Sequence, residues 1–303
     1  MLLEAGVSGA ALATEANRIG AQVEAVFSRY LQKSGDGRDR LYEAMRHAGL
    51  GGGKRIRPLL TVATGRLFRI DEERSVRAGA AIEAIHVYSL IHDDLPCMDD
   101  DDLRHGKPAL HCAYDESTAI LAGDALHALA FEVLANDATH EDPFVRAELV
   151  AELARAAGPA GMAGGQMMDL MATTSSLDLA AVTRLQQLKT GALIGFCLEA
   201  GAIMGRVPVE GRARLRGYAR DVGLAFQITD DLLDAEGEEA KTGKRVKKDK
   251  AAGKETFVSL LGAERARQQA GLLVDQAVDF LQSFGAEADP LRAIARFAIE
   301  RDH

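Results

Sequence analysis

The sequence predicts an all-α protein in which residues 1–303 form a single domain. Apolar residues recur at helical spacing through most of the chain, and no convincing run of alternating apolar and polar residues indicates a strand. Hydrophobic residues make up 47% and charged residues 27%, which is typical of a soluble globular enzyme. A chain of 303 residues is within reach of one large helical domain and can bury a large core.

The helices of the first half are predicted from apolar spacing and from the glycines that separate them. The polar run at residues 34–37 ends the first helix, and three glycines at 51–53 lead into a basic segment before the third. The fourth runs straight into a cluster of aspartates. The predicted helices cover residues 15–32, 41–48, 59–67, 73–91 and 117–134.

The second half continues the same pattern. Residues 158–165 are glycine-rich and are predicted to form a turn, and residues 237–254 are charged and dotted with glycine, which is typical of a loop. The predicted helices here cover residues 143–156, 177–204, 209–233, 263–284 and 289–301.

Charge and cysteine content exclude several classes of function. The net charge is −9 and much of the acid lies in two clusters, which argues against general nucleic-acid binding. The three cysteines have no metal-type pairing, so a reduced, cytoplasmic protein is expected. The N-terminus lacks a basic leader region and nothing approaches a run of about 18 apolar residues, so neither export nor a membrane partner is expected.

The two acidic clusters carry the functional prediction. Six aspartates fall within residues 93–102, and a smaller copy of the pattern occupies 230–234. Asp230 and Asp234 are four apart, so on a helix they share a face, with Asp231 beside them. Pro96 is expected to break the first helix and to bring Asp99 beside Asp93 and Asp94. Such oxygen-rich sites suit Mg²⁺, which leaves room for substrate phosphates.

The alternative is a solvated acidic face with a helix cap, and it stays open for a single aspartate pair. Two such clusters, each at the end of an apolar helix, favour metal binding instead, because unpaired buried charge is costly. Basic side chains surround both clusters, and each alone is more often a surface charge. Together they suggest two diphosphates, one held through metal and one mainly through basic groups. These residues are Lys54, Arg55, Arg57, Arg104, His105, Lys107, Lys189, Lys244, Lys248 and Lys254.

Several motifs resemble those of the bacterial farnesyl diphosphate synthases, and they occur along the chain in the order found in that family. Residues 83–96 are similar to the first aspartate-rich motif of that family, and residues 227–234 to the second. The resemblance extends from about residue 20 to the C-terminus. It includes the shorter motifs at residues 53–58, 121–124, 165–169 and 189–191.

The resemblance implies an isoprenoid-synthase helical bundle around a central cavity, a homodimer, and substrates that are isopentenyl diphosphate and an allylic diphosphate. It implies Mg²⁺, three ions per site with Mn²⁺ as a substitute, held by Asp93, Asp99 and Asp230 with Asp94 and Asp234 assisting. Asp231 is grouped with the catalytic residues. The implied allylic ligands are Arg104, Lys189 and Lys244, with Gln166, Asp169, Thr190, Gln227 and Lys254 nearby. The implied ligands of isopentenyl diphosphate are Lys54, Arg57, His86 and the residue at position 105.

One position departs from the family pattern, because a second arginine is expected where this chain has His105. A histidine is neutral over much of the physiological pH range and lacks the guanidinium fork. The hypothesis is a weaker grip on isopentenyl diphosphate that improves as pH falls.

Product length is predicted from the helix that leads into the first acidic cluster. Tyr88 precedes Asp93 by five residues, about one and a half turns, and with Ser89 is expected to close the floor of the apolar pocket. In the resembling family an aromatic residue there accompanies a fifteen-carbon product, so farnesyl diphosphate is expected. A geranylgeranyl diphosphate synthase is the nearest alternative. A terpene cyclase is less favoured, because it would lack the second diphosphate site, and a non-catalytic subunit should have lost ligands that this chain keeps.

Overall fold

The computed structural model describes residues 9–172, 176–236 and 254–300. Over these ranges the chain is helical almost throughout, as predicted. The α-helices are α1 (Gly9–Tyr30), α2 (Asp39–Gly49), α3 (Ile56–Leu67), α4 (Glu72–Asp93), α5 (Leu110–Ala113), α6 (Glu116–Ala135), α7 (Pro143–Ala157), α8 (Met162–Ala172), α9 (Leu179–Gln186), α10 (Ala192–Met204), α11 (Ala213–Glu236), α12 (Phe257–Leu261), α13 (Ala263–Phe280) and α14 (Asp289–Glu300).

Within the described ranges, five elements are not α-helices. A π-helical turn, Gln187–Gly191, joins α9 to α10, and short 3₁₀ turns precede α11 and α14. Two-residue strands β1 (Leu103–Arg104) and β2 (Lys107–Pro108) pair antiparallel in a small hairpin after the first acidic cluster. The sequence did not predict this hairpin, because two-residue strands are too short to produce a periodic signal.

The helices pack around α4 and α10. Helix α4 packs against α6 and α3, and α10 packs against α3, α7 and α11. Glycines allow the closest contacts: a Cβ atom on Gly79 would lie 2.9 Å from Cα of Pro58, and one on Gly201 would lie 2.9 Å from the backbone nitrogen of Gly65. The buried apolar side chains form one continuous cluster. The C-terminal end of α11 contacts α12, and Lys254 joins the loop after α4 to α8.

Several predicted boundaries differ from the structure: the first helix begins at Gly9 and not at residue 15, and α13 ends at Phe280 and not at residue 284. Residues 158–165 are not all turn, because helix α8 begins at Met162 and includes Gly164 and Gly165. Their glycines resemble turn signals, but Gly165 serves helix packing instead. The predicted helix over 177–204 begins at Leu179 and is interrupted by the π-helical turn at Gln187–Gly191.

Helix α6 is long and apolar enough to cross a membrane by length and composition alone. Half of its apolar stretch is buried within the fold, and it packs along α4. It also carries Asp124 and Glu132 on its exposed side. These features are those of a core helix in a soluble protein.

Candidate active site

The first acidic cluster begins where α4 ends. Asp93 is the last residue of α4, and its carbonyl oxygen accepts a hydrogen bond of 2.8 Å from the backbone N–H of Asp99. The carbonyl of Asp94 accepts a second, of 3.2 Å, from the N–H of Asp101. The loop therefore folds back after Pro96 and returns Asp99 to the helix end, which confirms the predicted geometry.

The two aspartates at the helix end lie in different environments. Asp94 is 2% exposed and pairs with Arg104, whose Nε lies 3.1 and 3.2 Å from the two carboxylate oxygens. Asp93 is half-buried. Burial raises the pKa of the Asp93 carboxyl to about 6; the charge of Lys189 opposes this shift and that of Asp99 adds to it. Asp94 thus holds Arg104 and the β hairpin, while Asp93 is repelled by Asp99 and Asp94 and attracted by Lys189 and Arg104.

The second acidic cluster lies near the C-terminal end of α11. Asp230 and Asp234 are half-buried and one helical turn apart. Asp231 is 4% exposed, and its two oxygens accept hydrogen bonds of 2.9 Å from Nε2 of Gln227 and from the backbone N–H of Phe257. Asp231 therefore fixes the first turn of α12 against α11.

Lysines link the first acidic cluster to helix α8 and to the π-helical turn. The carboxylate of Asp169 on α8 accepts hydrogen bonds of 2.8 Å from Nζ of Lys189 and of 2.8 Å from Nζ of Lys254. Nζ of Lys254 also lies 3.7 Å from Asp99. Burial opposes it, but the two ammonium groups hold the pKa of Asp169 below its ordinary value. The first cluster, α8 and the π-helical turn thus form one charged network, which we call the Asp169 network (Asp99, Asp169, Lys189 and Lys254).

The π-helical turn carries Lys189 and Thr190 towards the second cluster. The hydroxyl of Thr190 donates to Oε1 of Gln227 at 3.4 Å. A Cβ atom on Gly165 would lie 2.2 Å from the backbone nitrogen of Lys189, so only glycine allows α8 to approach this closely. π-helical turns are frequent at functional sites because they re-aim side chains within a helix.

Two of the predicted ligands keep buried polar atoms without a hydrogen-bond partner. Both amide atoms of Gln166 and the Nε of Arg57 are in this state. Buried polar groups are normally satisfied, so these groups fit a polar ligand.

The predicted ligands of isopentenyl diphosphate come from three segments. Lys54 and Arg57 follow the glycine loop, His86 lies on α4, and His105 occupies the turn of the hairpin with a φ of 51°. Burial lowers the pKa of His86, and the charge of Arg57 lowers it further. Burial, and then the charge of Arg104, lower the pKa of His105. Both rings are therefore neutral at pH 7.

The glycine loop at residues 51–53 is held in place by the buried side chain of Arg55. Arg55, grouped with the basic ligands in the sequence, turns inward: its guanidinium donates to Glu83 at 2.8 Å and to the carbonyl of Gly49 at 2.7 Å. It is 6% exposed, so it positions the loop and does not face a ligand. Lys54 is exposed and borders a cleft of about 270 Å³ between the loop and α1.

The proposed floor of the pocket is an aromatic stack. The ring of Tyr88 meets those of His92 and His127 edge-on, with centroids 5.7 and 5.0 Å away. His127 in turn meets Phe131 at 5.2 Å. Ser89 donates its hydroxyl to the carbonyl of His86 at 2.8 Å. The stack leads away from Asp93 along α6, so it runs in the direction in which a growing chain would extend.

Comparison with known proteins identifies the family. The sequence profile of the polyprenyl synthetases matches residues 38–289. The chain belongs to this family. A farnesyl diphosphate synthase of Escherichia coli (strain K12) is 44% identical over 86% of this chain and 89% of its own length. A geranylgeranyl pyrophosphate synthase of Arabidopsis thaliana is 44% identical over 85% of this chain and 73% of its own.

Solved structures agree. The FPP/GFPP synthase of Zymomonas mobilis is 55% identical, covers 96% of this chain and 100% of its own, and superposes with a TM-score of 0.89. A geranyltransferase of Helicobacter pylori, solved with magnesium and isoprenyl diphosphate, is 31% identical over 95% of this chain and 96% of its own, with a TM-score of 0.82. The fold is the all-α isoprenyl synthase fold, and the protein is a trans-prenyltransferase whose substrates are isoprenyl diphosphates.

The family is Mg²⁺-dependent, and the carboxylates fit that ion. Burial raises the pKa of Asp93, Lys189 opposes this shift and Asp99 adds to it, so a divalent ion bound by the two carboxylates would neutralise their repulsion. Lys244, predicted as an allylic ligand, lies outside the described residues. The sequence did not reveal the shared role of Asp169, nor the N–H of Phe257 as partner of Asp231, because both contacts join segments far apart in the chain.

Proposed function

We propose that this polyprenyl synthetase makes farnesyl diphosphate by adding isopentenyl diphosphate head-to-tail to dimethylallyl and then geranyl diphosphate. The observation that carries the proposal is the Asp169 network, which joins the first aspartate cluster to the π-helical turn beside the second. Carboxylates and lysines in this arrangement suit a metal-bound diphosphate between them.

The allylic diphosphate is held, in this proposal, by metal ions and by basic side chains. Lys189 and Lys254 are fixed by Asp169 at 2.8 Å each, so their charges are in place before substrate binds. Arg104 is oriented by Asp94. Gln166, Thr190 and Gln227 offer polar atoms nearby, and Lys244 completes the set predicted from sequence.

We assign metal binding to Asp93, Asp99 and Asp230, with Asp94 and Asp234 assisting, and three Mg²⁺ per site replaceable by Mn²⁺. Since Asp94 pairs with Arg104 and Asp231 with Gln227 and Phe257, these two aspartates act chiefly by positioning their partners. When bound, the ions would neutralise charge on the departing diphosphate.

Isopentenyl diphosphate is assigned to Lys54, Arg57, His86 and His105. The unsatisfied Nε of Arg57 supports this site. The reaction itself breaks the allylic C–O bond, forms a carbon–carbon bond from the alkene of isopentenyl diphosphate, and releases a proton to the departing diphosphate. Apolar helices around the site exclude water, which would otherwise quench the allylic cation.

The fifteen-carbon product is supported by the Tyr88 stack and by the farnesyl diphosphate synthases among the relatives. The relatives also include a geranylgeranyl synthase and an FPP/GFPP synthase, so a longer product is the second candidate. It would require the chain to pass Tyr88.

We also propose a cytoplasmic homodimer, with residues 1–303 as one domain. The continuous apolar core supports the single domain. The exposed face of α6 supports the dimer, because Ile120 is 44% and Leu121 58% exposed there. Leu121→Lys should halve the mass measured by light scattering, while Leu272→Lys, at an equally exposed leucine on α13, should leave it unchanged. A wild-type protein with the mass of one chain would refute the dimer.

The first test of function uses purified protein with Mg²⁺, labelled isopentenyl diphosphate and, in separate tubes, dimethylallyl, geranyl and farnesyl diphosphate. Products are sized by chromatography. Farnesyl diphosphate from the first two starters, and no extension of the third, is the expected result. Asp99→Asn should abolish turnover, and Asp275→Asn, at an exposed carboxylate on α13, should not. Extension of farnesyl diphosphate would contradict the product assignment, and no product from any starter would contradict the activity.

A further inference from the structure

A cluster of three potential metal ligands lies beside the hairpin, apart from the residues assigned to Mg²⁺. It consists of Asp102, which precedes β1, and of His111 and Cys112 on α5. One ligand atom from each lies within 4.8 Å of the other two. The Sγ of Cys112 is 3.3 Å from Nε2 of His111 and 3.7 Å from Oδ1 of Asp102.

The backbone holds these residues in place. The N–H of Ala109 donates to the carbonyl of Asp102 at 2.8 Å, which closes the base of the hairpin. The N–H of Cys112 donates to the carbonyl of Ala109 at 3.0 Å, so the helix that carries the thiol begins at the same point. The three ligands are therefore fixed by one short, hydrogen-bonded segment of chain.

Two of the three separations, those that involve the sulfur, match a tetrahedral zinc site. With a Zn–S bond of about 2.3 Å and Zn–N and Zn–O bonds of about 2.1 Å, tetrahedral angles place sulfur about 3.6 Å from each of the other two ligand atoms. The observed 3.3 and 3.7 Å lie close to this value. Asp102 and Cys112 are exposed and His111 is half-buried, so an ion can enter and a water molecule can take the fourth position.

We propose that Asp102, His111 and Cys112 bind a zinc-class divalent ion. Thiolate and imidazole ligands select such an ion over Mg²⁺, which prefers oxygen ligands alone. Binding joins α5 to the residue before β1, and β1 carries Arg104. The ion therefore restrains the hairpin that presents Arg104 and His105 to the diphosphates. The sequence did not predict this site, because the spacing of Asp102, His111 and Cys112 along the chain does not correspond to a known metal-binding motif.

Co²⁺ is the probe that tests this site, in the presence of excess Mg²⁺ to occupy the aspartate clusters. Co²⁺ bound through Cys112 gives a thiolate-to-metal charge-transfer band in the near ultraviolet, which carboxylate sites cannot produce. We expect one equivalent per chain in the wild-type protein. The band should be lost in Cys112→Ser and kept in Cys97→Ser, which removes the other exposed thiol.

Zn²⁺ titration by calorimetry gives the second measurement. His111→Gln and Asp102→Asn should each weaken Zn²⁺ binding about tenfold or more. Circular dichroism of each variant checks that the helices remain. Three results would overturn the proposal. The first is a charge-transfer band that persists in Cys112→Ser, and the second is the absence of any band in the wild type. The third is Zn²⁺ binding that is equal in the wild type and in the Asp102→Asn, His111→Gln and Cys112→Ser variants.

Discussion

Replacing Tyr88 by alanine is expected to lengthen the product by one isoprene unit. The ring of Tyr88 lies one and a half turns from Asp93 and is followed, away from the aspartates, by His127 at 5.0 Å and then Phe131 at a further 5.2 Å. Removing the Tyr88 ring moves the floor of the pocket to His127.

The size of the effect follows from these spacings. An isoprene unit adds four bonds to an extended chain, or about 5 Å, since three backbone bonds span about 3.8 Å. Each ring in the stack therefore corresponds to one unit. The Tyr88→Ala variant should stop at twenty carbons, and the Tyr88→Ala/His127→Ala variant at twenty-five, with Phe131 as the last barrier.

The assay is chromatography of products made from labelled isopentenyl diphosphate and geranyl diphosphate. Tyr88→Phe keeps the ring and should still yield fifteen carbons. Phe131→Ala alone should also yield fifteen, because Tyr88 still stands in front of it. Fifteen carbons from Tyr88→Ala would refute Tyr88 as the floor, and products of mixed length from Phe131→Ala would refute the order of the stack.

Four further predictions concern the diphosphate sites. His105→Arg should lower KM for isopentenyl diphosphate several-fold at pH 7. Burial, and then the charge of Arg104, lower the pKa of His105 below 6.5. The wild-type KM for isopentenyl diphosphate should therefore fall only when the pH drops below 6.5, and the variant should lose this dependence. The stability conferred by the neutral ring is present above pH 6.5 and is lost as the pH falls. Asp169→Asn should reduce kcat with geranyl diphosphate at least tenfold, because two ammonium groups lose a charged acceptor. It should also lower the free energy of unfolding, measured in urea, by about 1.5–3 kcal/mol. An unchanged kcat would exclude the Asp169 network from the site. Gly165→Ala should destabilise the fold by about 1–3 kcal/mol and lower kcat, because its Cβ would lie 2.2 Å from the nitrogen of Lys189. The control Gly195→Ala lies inside α10 with no atom within 4 Å of the new Cβ, so it should raise stability by about 0.5–1 kcal/mol in the same urea assay. Chelation of Mg²⁺ should abolish product formation while circular dichroism stays helical, and turnover that survives chelation would contradict metal dependence.

Features with a strong local signal were predictable from the sequence. The apolar period of α4 and the proline after it located the first cluster, and the spacing of Asp230 and Asp234 located the second. Features that depend on contacts between distant segments were not. Gly165 was interpreted as a turn signal, because nothing local reveals that α8 must approach Lys189. The inward turn of Arg55 depends on Glu83, 28 residues away, and could not be separated from its basic neighbours.

The arrangement of charges indicates why metal and diphosphate should bind together. Without substrate, Lys189 and Lys254 share the carboxylate of Asp169, and Nζ of Lys254 also lies 3.7 Å from Asp99. Asp93 lies near Asp99 as well as near Lys189, and burial raises the pKa of its carboxyl to about 6. A diphosphate alone would relieve the lysines but repel the aspartates, and a cation alone would do the reverse. Bound together they neutralise both, which favours cooperative binding of Mg²⁺ and the allylic diphosphate. The Mg²⁺ needed for ionisation would then bind most tightly when the allylic diphosphate is present.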